Sequence, residues 1–209
     1  MISMRRLKNC IIIGGMNFLS LFLKVKKETI DSNLANNKKA WDKYVSGLKY
    51  IENQQQLTDI KYGQETSFFT KKISGGLPLS ASFNSCEIIA VQNALIALGV
   101  YKNPQIFPYL IASFEKKGAV LKGYFGTAPR CIIKFLKNNK IEIKKLKPDV
   151  PNFGKTPVQI LMYQNDSKIT SGIHTICILS DNGQPHFING KPEKNSIPIL
   201  LLSLSRREP

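Results

Sequence analysis

A thiol, an imidazole and a carboxamide stand where folding can bring them together. Cys86 follows Asn84-Ser85, two residues that cap helices, and precedes an apolar run that reaches Leu98 before Gly99. The pattern predicts a helix over 85–98 with Cys86 in its first turn. Free backbone N–H groups and the positive end of the helix dipole favour a thiolate there, and offer donors to a developing oxyanion. A nucleophilic thiol needs a base, and the base needs a group to orient it. The two histidines, His174 and His186, flank Asp181-Asn182-Gly183, a hairpin turn signal. With the turn centred on Asn182-Gly183, Asn189 faces Ile176. His174 and Asn189 then share a sheet face as diagonal neighbours, about 5.5–8 Å apart at the backbone, close enough for the carboxamide oxygen to hold an imidazole N–H. The same parity turns His186 and Cys177 to the opposite face, and a one-residue slip would undo it. Singly, the three residues read as a core thiol, a strand-start histidine and a turn asparagine. Together they form a Cys-His-Asn arrangement suited to acyl transfer.

The elements that must position them are legible on both sides. Residues 28–62 read as helical, with Trp41, Tyr44, Leu48, Ile51 and Leu57 on one stripe that wraps the main domain. An irregular stretch broken by Gly75-Gly76-Leu77-Pro78 follows. After the Cys86 helix, a second is expected from Asn103-Pro104 to Lys117, distorted at its start by Pro108. Gly123 to Pro129 reads as a loop, with Thr127 capping a third helix that ends near Asn138-Asn139. Gly123 and Gly126 are candidates to wall a substrate groove, since glycine permits close approach; a plain interhelical loop is the alternative. From Lys140 the period becomes two, giving strands at 140–146, 157–163, 173–180, 185–189 and 197–202. Helices first and an antiparallel sheet after is an α+β pattern. The expected division is a basic, apolar N-terminal segment (1–27), a helical extension and linker (28–79) and a catalytic domain (80–209).

Charge and composition narrow the classes. Hydrophobic residues make up 43% and charged residues 21% of the 209, which speaks against wholesale disorder and a multi-span membrane protein. Thirty Lys and Arg against fourteen Asp and Glu leave a net charge of +16, attractive to nucleic acid, an anionic membrane or an acidic partner. The lysines are scattered and carry no nucleic-acid-binding motif, so no specific nucleic acid is expected. Cys10, Cys86, Cys131 and Cys177 form no C-x-x-C pair, and with two histidines no metal site and no cofactor are expected. The thiols read as reduced, which favours the cytoplasm. Within residues 5–27 an apolar run from Ile11 to Leu23 has basic flanks, is too short to span a bilayer and lacks a small-residue cleavage site. A peripheral helix in weak contact with a membrane surface, an uncleaved anchor and a start at Met16 all remain open readings.

Asn84-Ser85-Cys86-Glu87-Ile88-Ile89-Ala90, Ile173-His174-Thr175-Ile176 and His186-Phe187-Ile188-Asn189-Gly190 resemble the three catalytic blocks of papain-like cysteine peptidases, nearest to the bacterial double-glycine branch that trims bacteriocin leader peptides. The resemblance spans roughly residues 80–200 and implies a papain-like fold, a peptide or protein substrate, Cys86 as nucleophile, His174 as general base and Asn189 as its orienter. The family usually carries Gln six residues before the cysteine to complete the oxyanion hole. Ser80 stands there, so Ser80, Asn84 or a displaced residue has to supply the second donor. The double-glycine branch more often has Asp at the third position and carries transporter and ATPase parts that this sequence lacks. Ile73-Ser74-Gly75-Gly76 resembles a double-glycine cleavage sequence, which raises self-processing as an expectation. The alternatives are a related acyl transferase or amidase, and a catalytically degenerate peptidase fold that only binds.

Overall fold

The computed structural model describes residues 24–44, 49–64, 79–102, 104–123, 126–166 and 172–207. The two-residue period becomes five strands: β1 (Ile141–Leu146), β2 (Val158–Gln164), β3 (Ile173–Asp181), β4 (Gln184–Ile188) and β5 (Ile197–Arg206). All neighbours are antiparallel, in the order β1-β5-β2-β3-β4. Asn182 and Gly183, at φ 50° and 80°, make the two-residue turn between β3 and β4. Cys177 faces Ile188 and Leu179 faces His186, the register that the turn residues require.

Alternation gives the sheet two apolar faces. Val158, Ile160, Cys177, Ile188, Leu202 and Leu204 join the core shared with the helices. Leu161, Tyr163, Ile176, Ile178 and Leu201 pack on the other face around Phe153, whose ring meets Phe187 edge-on at 6.2 Å. His174 belongs to this second parity and Thr175 to the first.

The helices are α1 (Lys27–Trp41), α2 (Ala81–Asn84), α3 (Cys86–Ala97), α4 (Phe107–Lys117) and α5 (Pro129–Asn138). In α3 every residue from Cys86 to Ile96 is buried, the signature of a central helix. It packs on β2 and β3 and touches α4 and α5, while α1 lies on α4. Among the described residues no helix is long and apolar enough to cross a membrane.

Several expectations shift. The helix over 28–62 stops at Trp41, and a short 3₁₀ turn forms at Gln54–Gln56. Ahead of that turn Ile51 is tied to α3: its N–H donates to Asn93 Oδ1 (2.9 Å) and Asn93 Nδ2 donates back to Ile51 O (2.9 Å). Trp41, Ile51 and Leu57 are nonetheless buried, as the stripe required. The second helix opens as a 3₁₀ turn at Pro104–Ile106 before Pro108 enters α4. Thr127 does not cap α5, whose N-cap is Ala128; its hydroxyl meets Tyr62 Oη at 2.6 Å. Ser85 holds the N-cap position of α3 but donates its hydroxyl to Ala81 O (2.6 Å).

Trp41 is the chain's single tryptophan. It is fully buried, donates from Nε1 to Pro104 O (3.1 Å) and packs on Phe107 at 4.8 Å. Its fluorescence therefore reports the docking of α1. We expect its emission to shift red in one transition with the loss of far-UV circular dichroism during urea unfolding. Trp41→Ala should cost about 3–5 kcal/mol. A separate, earlier fluorescence transition would show that α1 is not part of the main core.

Candidate active site

Cys86 opens α3 and is only 5% exposed. Its sulfur accepts a hydrogen bond from the backbone N–H of Thr175. That nitrogen belongs to the peptide bond joining Thr175 to His174, so the thiol and the histidine's backbone are immediate neighbours. The contact lies where β4 no longer pairs with β3, because the pairing runs only from Cys177 to Asp181.

His174 Nε2 is 2.7 Å from the backbone oxygen of Asn189. A carbonyl oxygen only accepts, so Nε2 carries the proton and Nδ1 holds the lone pair of a base. Tyr163 sits directly across the ladder, its ring edge-on to the imidazole at 5.7 Å. Gly190, at φ 105°, lets the chain pass close by: a Cβ there would lie 3.2 Å from Nε2.

Asn189 thus orients the imidazole through its backbone and not through its carboxamide, as the sequence had suggested. The extended geometry behind that expectation ends at Ile188, and Asn189 takes a left-handed φ of 68°. Its Oδ1 accepts from Gln54 N–H (2.8 Å) and its Nδ2 donates to Gln54 Oε1 (3.2 Å). Gln54 in turn donates from Nε2 to Ser82 O (3.0 Å), tying the Asn189 turn to α2. Sequence reasoning passed over Gln54. Its only trace is a polar Asn53-Gln54-Gln55-Gln56 run interrupting the apolar stripe.

The remaining sequence candidates serve the chain itself. Ser80 and Ser82 hydroxyls share a hydrogen bond of 2.6 Å. Asn84 Nδ2 donates to Gly123 O, while its buried Oδ1 has no hydrogen-bond partner among the described residues. A Cβ on Gly123 would meet Gly63 Cα at 2.9 Å, and one on Gly126 would meet Glu87 Oε1 at 2.7 Å. The space these glycines open is occupied by Gly63 and by the Glu87 carboxylate, where the sequence suggested a groove wall. An open depression of about 470 Å³ instead runs along β4 from Pro185 to Lys191, with Glu52, and reaches Asn189 and Gly190. His186 on β4 is exposed, Cys177 is fully buried in the helix-facing core, and half-buried Cys131 donates its thiol to Lys117 O. Cys10, the 73–76 sequence and residues 5–23 of the basic run lie outside the described residues.

Burial, followed by the neighbouring Glu87 carboxylate, pushes the Cys86 thiol well above its ordinary range, against the opposing Thr175 N–H. Burial pulls His174 down, opposed by Asn189 O. The resting pair is therefore a neutral thiol and a neutral imidazole, and the thiolate expected at a helix N-terminus is not favoured. Burial also raises two carboxyl groups to about 7: Glu87, and Glu115, which accepts from Gly63 N–H (2.8 Å) and Asn33 Nδ2 (2.6 Å).

Comparison with protein-family models, curated proteins and solved structures finds no match to any of them. What the geometry defines is an α+β molecule in which the thiol at the start of a central helix docks on the strand backbone next to a histidine.

The buried carboxyls fix a sign for pH. Each binds its proton more tightly folded than unfolded between about 4.5 and about 7, so stability is present below that window and lost as pH rises through it. The size is on the order of 3 kcal/mol per carboxyl. His174, with its folded pKa below 6.5, works the other way and loses stability as pH falls below that value. Glu115→Gln should therefore gain on wild type in melting temperature between pH 5 and pH 8. A difference that stays flat across that range would show that Glu115 does not titrate there.

Proposed function

We propose that this chain is a papain-like cysteine hydrolase that opens a peptide or amide bond through a thioester on Cys86. The observation that carries the reading is the docking of Cys86 Sγ on the N–H of Thr175, one peptide bond from a histidine whose tautomer is set by Asn189 O. His174 Nδ1 takes the thiol proton as sulfur attacks the substrate carbonyl carbon. The backbone N–H of Cys86, at the start of α3, holds the oxyanion. The protonated Nδ1 gives its proton to the leaving nitrogen as the C–N bond breaks. Water, deprotonated by Nδ1, then cleaves the thioester and returns the thiol. An amine in place of that water makes the same site an acyl transferase. The depression along β4, open and ending at Asn189-Gly190, suits an extended peptide.

A binding-only reading draws on two facts: Cys86 is 5% exposed with its thiol held protonated, and the Ser80 hydroxyl is bonded to Ser82. Iodoacetamide labelling, followed at the Cys86 peptide by mass spectrometry, separates the two readings. A working base should make the Cys86 rate fall at least about tenfold in His174→Ala, the lower edge of what a positioned base contributes. Asn189→Ala should change it only a few-fold, because the carbonyl that holds Nε2 remains. A Cys86 rate indifferent to His174 would leave the chain a binding protein.

A further inference from the structure

We propose that Glu87 is a restraint on the nucleophile: its buried carboxylate holds the Cys86 thiol in the protonated resting state, and its neutralisation releases that thiol to His174. This rests on the reading of Cys86 as the nucleophile.

An acidic residue in the first turn of a helix ordinarily faces solvent and interacts with the dipole. Glu87 is instead 6% exposed, and Oε2 has no hydrogen-bond partner among the described residues. Its carboxylate accepts from the Cys86 thiol and from the backbone N–H of Thr127. Both of its oxygens lie where a Cβ on Gly126 would stand, at 2.7 and 2.8 Å, so only glycine admits the group. The segment that closes over it is fixed in turn. Tyr62 Oη donates to Gly126 O (3.1 Å), and Val120 N–H donates to the same oxygen (3.0 Å). A negative charge has thus been built against a thiol that must become negative to act. Thr175 N–H pulls the sulfur toward thiolate and Glu87 holds it as thiol.

The groups around Glu87 settle the direction of the pH response. Cys86 shares its helix, and Tyr62 faces it from the 49–64 segment. Thr127 and Gly126 bring no charge, and Glu115 on α4 acts on the same Tyr62 hydroxyl. From the sheet side Tyr163 senses Cys86, and His174 stands beside it. As pH falls through about 7, Glu87 takes a proton from solvent and its repulsion of a thiolate ends. His174, held below its usual 6.5, is still a base and takes the thiol proton on Nδ1. The site is therefore active on the mildly acidic side of neutrality.

The test is the rate of iodoacetamide labelling at Cys86 in the full chain from pH 5.5 to pH 9, for wild type, Glu87→Gln, Glu87→Asp and His174→Ala. Wild type should show a shoulder below about pH 7, beneath the later rise of an ordinary thiol. Glu87→Gln should label at least about tenfold faster at pH 8, the equivalent of one pKa unit, and lose the shoulder. Glu87→Asp, which keeps the charge, should stay slow. If Glu87→Gln fails to fold by circular dichroism, the wild-type profile decides: a single featureless thiol titration overturns the proposal. A normal His174 effect with an unchanged Glu87→Gln rate overturns the role of Glu87 alone. Labelling that responds to neither variant overturns the nucleophile reading itself.

Discussion

The site depends on one contact, the backbone N–H of Thr175 on the sulfur of Cys86. It forms because α3 is buried on every side and must lie between the sheet and the other helices, which drives its first residue against β3. It also needs an uncovered stretch of β3. Asn189 provides that by leaving extended geometry immediately after Ile188. The left-handed backbone costs most residues about 1 kcal/mol or more, and asparagine is among those that tolerate it best. One residue thus ends β4, leaves the sheet beside Cys86 uncovered, and aims its carbonyl at His174. Its side chain does none of this directly. It is locked on both edges by Gln54, so the strained turn is held from a distant part of the chain.

The polar interior behind Cys86 follows from the same crowding. Gly63, Gly123 and Gly126 all have positive φ, and their neighbours stand where a Cβ would go. Backbones that approach this closely leave buried N–H and C=O groups to be matched. Glu115 takes Gly63 N–H, Asn33 takes Gly63 O, Asn84 takes Gly123 O and Tyr62 takes Gly126 O. The arrangement satisfies the backbone and strands two carboxyl groups away from water. It accounts for a pair of acids that ionise near neutrality inside a strongly basic protein.

The sheet was the most legible part of the chain, because period-two apolarity and one Asn-Gly turn set both strands and register. Cys177 faces Ile188 as the turn position demanded, and His186 and Cys177 fall away from His174. The helix beginning at Cys86 was equally plain from its flanking Ser85 and Gly99. What sequence could not reveal lies in contacts between remote segments. The Ile51–Asn93 pairing ties to α3 a residue that spacing alone places in a helix. The Gln54–Asn189 pairing moved the orienting atom from a side chain to a backbone oxygen. The glycines of the 123–129 loop were correctly read as sites of close approach, but the approaching group was the protein's own.

The ionisation of Cys86 shows where magnitude overrules motif. A helix N-terminus favours a negative charge by about 0.3–1 kcal/mol, which is less than one pKa unit. Burial of an ionisable group shifts it by up to about 3–5 units. With Cys86 only 5% exposed and a carboxylate on the next residue, the dipole cannot prevail, and the thiol stays protonated. A cysteine at the head of a helix is therefore reactive only if something nearby accepts its proton. On the proposed reading that acceptor is Nδ1 of His174, since the Asn189 carbonyl already engages Nε2. On that reading, reactivity turns on the imidazole's position more than on the dipole of the helix.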